Sequence, residues 1–239
     1  MSLRRSARFA LLAALLLAGL GALSGCSQAA PDSSAQSSAP SSGSQGSTTA
    51  SSTTDQSAST SWESTVYTPQ YKLNGKEIAV IKTSKGTIKV KFYEKDAPIA
   101  AANFIELSLK KYYDGIKFHR YVAGFVIQGG DPQTKSASAK DVAAADGSGQ
   151  GPYGTGGPGY TIKDEYASNP NKHVDGALAM ARTGAPDSGG SQFYFALGAL
   201  PSLDGQYTVF CQTTSGLDVI HQLRAGDVIE SVTIENASK

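Results

Sequence analysis

The sequence predicts an all-β barrel or sandwich with helical covers, and three observations carry that prediction. Ile88, Val90 and Phe92 alternate with Lys89 and Lys91, the period-2 pattern of a strand with one face buried. Short apolar runs, "FVIQGG", "ALAMAR", "QFYFAL", "QYTVF" and "VIESVTIE", succeed one another with glycine-rich turns between them. Only two stretches have helical periodicity, too few for strands that alternate with helices in a βαβ fold. With 239 residues, 40% of them hydrophobic, the chain is long enough to bury one sizeable core.

Three segments are expected along the chain. Arg4, Arg5 and Arg8 form a cationic start, "FALLAALLLAGLGAL" an apolar stretch, and "LSGC" follows at Leu23 to Cys26. This resembles a bacterial lipoprotein signal, which implies removal of residues 1–25, acylation of Cys26, and an extracytoplasmic protein held to the membrane through lipid alone. An uncleaved anchor would need about 20 apolar residues, more than this run supplies. Loss of the three arginines turns the net charge from +1 to −2. From Ser27 to Ser61 more than half the residues are Ser or Thr, and no Lys or Arg falls between Arg8 and Lys72. Such a segment buries too little apolar surface to offset its backbone entropy, so residues 26–70 are expected to be a disordered tether reaching roughly 30–35 Å. The folded domain is expected over 71–239.

Within it, "TSKG" supplies the turn ahead of the alternating strand. "DAPIAAANFIELSLKKYYDG" reads as a short amphipathic helix: Asp96 is the expected N-cap, Pro98 lies in the first turn, and Ala100, Phe104 and Leu107 share a face. "FHRY" looks like a strand edge. The polar, glycine-rich stretch Pro132 to Gly154 is expected to form a flap. "SGLDVIHQLRAG" suggests a second helix that buries Leu217, Ile220 and Leu223 and ends at Gly226. Cys211, in "TVFCQT", is expected to be a buried thiol at the end of an apolar strand. With Cys26 acylated it has no partner for a disulfide.

Several chemistries are disfavoured. A net charge of +1 with basic residues scattered singly argues against nucleic acid. "DSGG" at Asp187 to Gly190 resembles the "GDSGG" around the nucleophile of trypsin-like serine proteases, but His119, His173 and His221 lack the contexts of a catalytic base, and no GxSxG elbow surrounds Ser188. "GQGPYG" matches G-x-G-x-x-G without the strand before it or the helix after it that dinucleotide binding needs. The histidines lie far apart and the carboxylates lack EF-hand spacing, so no metal or cofactor is expected, and His119 and His173 are expected to be structural hydrogen-bonding residues.

One constellation carries a function. In "KFHRYVAGFVIQGGDP" an arginine, a phenylalanine five residues on and a glutamine three further on surround a glycine, and "ALAMAR", "GSQFYF" and "LDGQYTVF" follow in order. Together, from about Glu77 to Glu235, they resemble the cyclophilins, a family of peptidyl-prolyl cis/trans isomerases. The resemblance implies an eight-stranded antiparallel closed barrel capped by two helices, with the active groove on its outside. It places the catalytic arginine at Arg120, the floor of a proline pocket at Phe125 and Val126, and groove glutamines at Gln128 and Gln192. Ala181, Arg182, Tyr194, Leu203 and Tyr207 fall at the remaining groove positions, and Ser188 falls in a turn. Phe125 and Gln128 are grouped with Arg120 as the catalytic set.

Two departures stand out. Ser202 replaces the tryptophan that binds cyclosporin in the best-known eukaryotic members and Tyr207 replaces their histidine, which implies weak binding of that drug. Arg182 stands where asparagine is common, which adds a cation beside the groove. The implied function is isomerisation of X-Pro bonds in exported proteins by a monomer without a cofactor. The alternative is a proline-peptide binding module or holdase using the same groove without selected turnover.

Overall fold

The computed structural model describes residues 66–145 and 152–236. The chain divides into Met1–Ser57 and Ala58–Lys239, and every described residue belongs to the second unit. The expected signal, Cys26 and most of the expected tether lie outside the described residues.

A two-residue strand, β1 (Val66–Tyr67), comes first, followed by the hairpin β2 (Glu77–Thr83) and β3 (Gly86–Phe92). Then come α1 (Pro98–Leu109), β4 (Arg120–Val122), β5 (Val126–Gly129), a 3₁₀ turn at Pro132–Thr134 and α2 (Ala139–Ala144). The chain continues through β6 (Thr161–Ile162), β7 (Ala177–Met180), β8 (Phe193–Ala196) and a 3₁₀ turn at Pro201–Leu203. It ends with β9 (Val209–Ser215), α3 (Leu217–Gln222) and β10 (Ile229–Asn236).

Eight strands form one antiparallel sheet in the order β10-β2-β3-β9-β7-β8-β5-β4. Its outer strands β10 and β4 do not pair with each other. The segments that precede them do: Lys117 and Val228 form an antiparallel bridge, and the Gly115 and Phe118 amides donate to the Ile229 and Asp227 carbonyls at 2.8 and 2.9 Å. The sheet is therefore rolled with a short seam, rather than closed by a continuous ladder as the resemblance implied. β1 and β6 make a separate parallel pair, so the folded part already includes residues 66–70, ahead of the boundary expected at 71.

The rolled sheet encloses aromatic rings gathered on α1. Phe104 stacks on Tyr113 at 4.8 Å and meets Phe193 and Phe210 at 5.4 and 5.6 Å between centroids. Ala100, Phe104 and Leu107 are buried, the face that helical periodicity predicted. The cap differs: Ala97, not Asp96, is the N-cap and offers no side-chain acceptor. The free amides of Ile99 and Ala100 instead donate to the Glu165 carboxylate at 2.9 and 2.8 Å, and Asp96 accepts from the Asn171 amide at 3.0 Å. A distant carboxylate thus satisfies the orphan donors that a local cap would otherwise take. On α3, Ile220 and Leu223 are buried while Leu217 stays exposed.

Where a flap was expected, the chain forms the 3₁₀ turn and a third helix, α2, with Val142 fully buried. Gly226 lies so close to this helix that a Cβ there would sit 2.4 Å from the Ala139 carbonyl oxygen. Residues 146–151 of the stretch are outside the description. Cys211 is buried inside β9 rather than at its end. A bulge opposite Leu178 and Ala179 admits one extra residue, so Phe210 and Cys211 both face the core. Among the described residues no helix is long and apolar enough to cross a membrane.

Candidate active site on the outer face of the sheet

Successive side chains of a strand point to opposite faces, and here both faces are apolar. Ile127, Leu178, Met180, Phe193 and Phe195 enter the main core. Their neighbours Val126, Ala177, Ala179, Tyr194 and Ala196 form a second cluster with Val209 and Leu200 on the outside. Phe125, Ala181, Leu203 and Tyr207 pack against this outer cluster while remaining partly accessible. Phe125, Val126, Ala181, Tyr194, Leu203 and Tyr207, picked out by motif in the sequence, thus meet in one apolar surface hollow.

Strand register brings the polar groups to it. Arg120 pairs with Gln128 across β4 and β5, Gln128 with Tyr194 across β5 and β8, and Tyr194 with Ala179 across β8 and β7. Paired residues of antiparallel strands share a face, so these four form a single row over the outside of the sheet. The Arg120 guanidinium carbon lies 5.8 Å from the centroid of the Phe125 ring, within cation–π range. Gln128 donates from Nε2 to Gln192 Oε1 at 3.0 Å, and Gln192 donates in turn to the Gly156 carbonyl at 2.8 Å.

Residues that sequence reading did not place at the site hold it in shape. Asp131, fully buried, accepts from the Gln133 amide at 2.8 Å through Oδ1 and from the Gly154 and Gly156 amides through Oδ2. It therefore ties both ends of the 132–156 excursion and sets the carbonyl that Gln192 grips. Gly156 must be glycine, because a Cβ there would lie 2.2 Å from Asp131 Oδ1. A groove of about 340 Å³ opens beside the apolar hollow, lined by Gln128, Gly154 to Pro158, Tyr160, Ala181, Arg182, Gly190 and Gln192 among others.

A second support lies behind Tyr194. Its hydroxyl is 2.9 Å from His173 Nε2, and His173 Nδ1 is 3.0 Å from Asp204 Oδ1, which also accepts from the His173 amide at 2.9 Å. In a neutral imidazole the proton sits on Nδ1, facing the carboxylate, and Nε2 accepts from the tyrosine. Burial and the neighbouring Tyr207 push the Tyr194 phenol far above the usual tyrosine range, so it stays a neutral donor. The amide and ring bonds from His173 hold the Asp204 carboxyl below its ordinary value. His173 is thus the hydrogen-bonding residue expected of it.

His119 is not. It is buried, and among the described residues neither ring nitrogen has a hydrogen-bond partner. Burial holds its pKa below the usual histidine value, with Asp131 opposing and Arg120 adding to the effect. Ser188 donates to the Ala185 carbonyl at 2.7 Å and accepts from the Thr183 amide at 3.1 Å, closing a turn. Arg182 is not a loose cation beside the groove. Its guanidinium lies between the Tyr166 and Tyr207 rings at 4.8 and 5.2 Å, and it donates to the Gln206 and Thr183 carbonyls at 2.9 and 3.0 Å. Among the described residues no group of three His, Cys, Asp or Glu is placed to hold a metal ion.

A rolled antiparallel sheet with an external apolar hollow, a flanking arginine and two linked glutamines defines the class of protein: a β-barrel-type domain with an apolar hollow on the outside of the barrel. The profile of the cyclophilin type peptidyl-prolyl cis-trans isomerase/CLD family matches residues 78–239, and the chain belongs to that family. It is 45% identical over 161 residues to a peptidyl-prolyl cis-trans isomerase of Helicobacter pylori (strain ATCC 700392 / 26695), covering 66% of this chain and 87% of that protein. It is 42% identical over 148 residues to peptidyl-prolyl cis-trans isomerase B of Bacillus subtilis (strain 168), covering 62% and 90%. A cyclophilin type isomerase of Cryptosporidium parvum superposes with a TM-score of 0.56 at 28% identity, over 68% of this chain and 99% of that one. The same protein solved in the presence of the dipeptide Ala-Pro gives 0.55 over 66% and 99%. The chain is thus a peptidyl-prolyl cis-trans isomerase.

Proposed function

We propose that this isomerase rotates X-Pro bonds of exported polypeptides in the outer hollow, with Arg120 polarising the prolyl amide and no covalent intermediate. The observation that carries the reading is the row Arg120, Gln128, Tyr194 and Ala179, which brings a cation to the rim of an apolar hollow. Rotation about the imide is opposed by resonance, with a barrier of about 20 kcal/mol. Phe125, Val126, Tyr194 and Leu203 would hold the pyrrolidine ring while the preceding carbonyl swings. Donors from Arg120 strengthen their hold as the imide nitrogen pyramidalises, which stabilises the twisted state more than either planar one. Arginine suits this because its fork is rigid and stays charged, whereas lysine would present a mobile point charge. Gln128, held by Gln192, orients the polar rim. The Ala-Pro dipeptide named with the Cryptosporidium structure supports a proline-bearing ligand.

Location follows from the N-terminal sequence. A cationic start, an apolar run and "LSGC" support acylation at Cys26, with a Ser/Thr-rich tether that lets the domain act outside the membrane on emerging chains. Loss of labelled palmitate incorporation in Cys26→Ala checks the anchor.

The test of mechanism is the cis-to-trans rate of an Ala-Pro peptide with the full chain and with Arg120→Ala. Removing one preorganised donor is expected to lower kcat/KM about 10²–10³-fold with the fold retained. A folded Arg120→Ala variant as fast as the parent removes Arg120 from the mechanism. A folded parent no faster than solvent makes the hollow a binding site of the holdase kind.

A further inference from the structure

We propose that the segment Val66–Tyr71 is a built-in brace of the substrate groove, anchored by Glu106 and acting through Tyr67 as a positioning residue. The inference rests on the groove reading above. Its segment lies ahead of residue 78, where the family match begins.

Glu106, on α1, is the anchor. Its Oε2 accepts from the Tyr67 hydroxyl at 2.8 Å, and its Oε1 accepts from the Tyr71 amide at 2.7 Å and from the Gln70 amide. One carboxylate thus gathers three donors from five consecutive residues, and Pro69 between them is buried. A segment merely trailing over the surface would not place three donors on one acceptor, because each would gain more freedom in water.

From the anchor the contacts lead to the groove. The Tyr67 ring packs on Tyr160 with centroids 4.5 Å apart. Tyr160 lines the groove, and its hydroxyl donates to Asn103 Oδ1 at 2.8 Å. Asn103, fully buried, donates from its amide to the Gly190 carbonyl at 2.7 Å. Gly190 is itself a groove residue, two positions before Gln192. In parallel, Val66 and Tyr67 pair with Thr161 and Ile162, and the Ile162 amide donates to the Gly189 carbonyl at 2.8 Å. Two routes, one through rings and side chains and one through backbone, therefore join the brace to the two segments that carry the groove residues Tyr160, Thr161 and Gly190.

Arg120 and Phe125 lie on neither route. The brace should consequently set how well substrate is held and leave the rotation step alone.

The experiment measures kcat and KM on a proline peptide for the full chain, Tyr67→Ala, Tyr67→Phe and Arg120→Ala, with hydrogen exchange at the Ile162 amide. Loss of the ring contact in Tyr67→Ala is expected to raise KM about three- to tenfold with kcat changed less than about twofold. Tyr67→Phe keeps the ring and should keep KM near the parent value. Exchange at Ile162 should quicken in Tyr67→Ala relative to a core amide such as that of Ile81. An unchanged KM in Tyr67→Ala overturns the brace, whatever happens to its melting temperature. If instead the folded parent itself is no faster than solvent, the groove reading fails, and unchanged exchange at Ile162 then removes the brace as well.

Discussion

Replacing Tyr194 by Phe isolates what supports the outer hollow from what forms it. The substitution deletes one oxygen, which is bonded at 2.9 Å to His173 Nε2 in a site where Tyr194 is 4% and His173 2% exposed. The ring remains, with its edge-to-face contact to Tyr207 at 5.9 Å. His173 cannot turn to find another donor, because Asp204 holds both its ring and its backbone amide. A buried acceptor left unpaired costs about 1–3 kcal/mol, which for a domain of this size lowers Tm by about 3–10 °C. The apolar wall is unchanged, so kcat/KM should stay within about threefold of the parent. Tyr194→Ala is the contrast: it removes the ring as well, with a stability loss of about 3–5 kcal/mol and a fall in kcat/KM of more than about tenfold. Thermal melts followed by circular dichroism and a cis/trans peptide assay on the three proteins decide it. A Phe variant that melts with the parent, or one that loses as much activity as the Ala variant, refutes the division between support and wall.

Two further outcomes follow from other parts of the structure. Cys211 is fully buried and burial pushes its thiol well above the ordinary value, so in a Cys26→Ser background an aromatic disulfide reagent should label it only at the rate of unfolding; rapid stoichiometric labelling of the folded chain would contradict this. Glu106 supplies a pH signature of the docked segment. Burial raises its pKa, but the bonds from Tyr67, Tyr71 and Gln70 and the charge of Lys110 outweigh that and hold it below the usual carboxylate range. A group depressed in the folded state gives stability that is complete above its unfolded value, about 4.3 for glutamate, and is lost as pH falls through the folded value. The stability gap between the parent and Glu106→Gln should therefore be constant near neutrality and shrink in that acid window; a gap that grows on acidification refutes the assignment.

How much of this was legible in the sequence depended on whether a strand has one wet face. β3 reads clearly because Ile88, Val90 and Phe92 are buried while Lys89 and Lys91 are exposed. β7 and β8 are buried along their whole length, so their alternation between core and outer hollow leaves no period in "ALAM" and "FYFA". Only family motifs separated Tyr194 from Phe193, and nothing in the sequence singled out Ala179 from Leu178. β1 and β6 are two residues each, and α2 buries a single side chain, so neither pairing nor helix had a pattern long enough to detect. Asp96 was a sound choice of cap by residue type, but the helix begins one residue later and borrows Glu165 from a loop 66 residues away from Ile99.

The supports of the site were hidden for a related reason. Phe104, Tyr113, Phe193 and Phe210 pack together inside the rolled sheet, and the apolar hollow lies on its outer face. An outer face cannot enclose a ligand by itself, so loops must supply the remaining walls and their bracing. Asp131 holds Gly154 and Gly156 from 23 and 25 residues away, and Asp204 holds His173 from 31. In each case one short acidic side chain fixes a distant backbone, and neither spacing nor periodicity records that. Arg120, Val126 and Tyr194 belong to strands and are fixed by register; Phe125, Leu203, Tyr207 and the groove beside them belong to turns and loops, and buried Asp131 holds the groove's Gly154 and Gly156 while Asp204 holds His173 behind Tyr194. A substitution at Asp131 should for that reason disturb substrate recognition without touching the bond that turns.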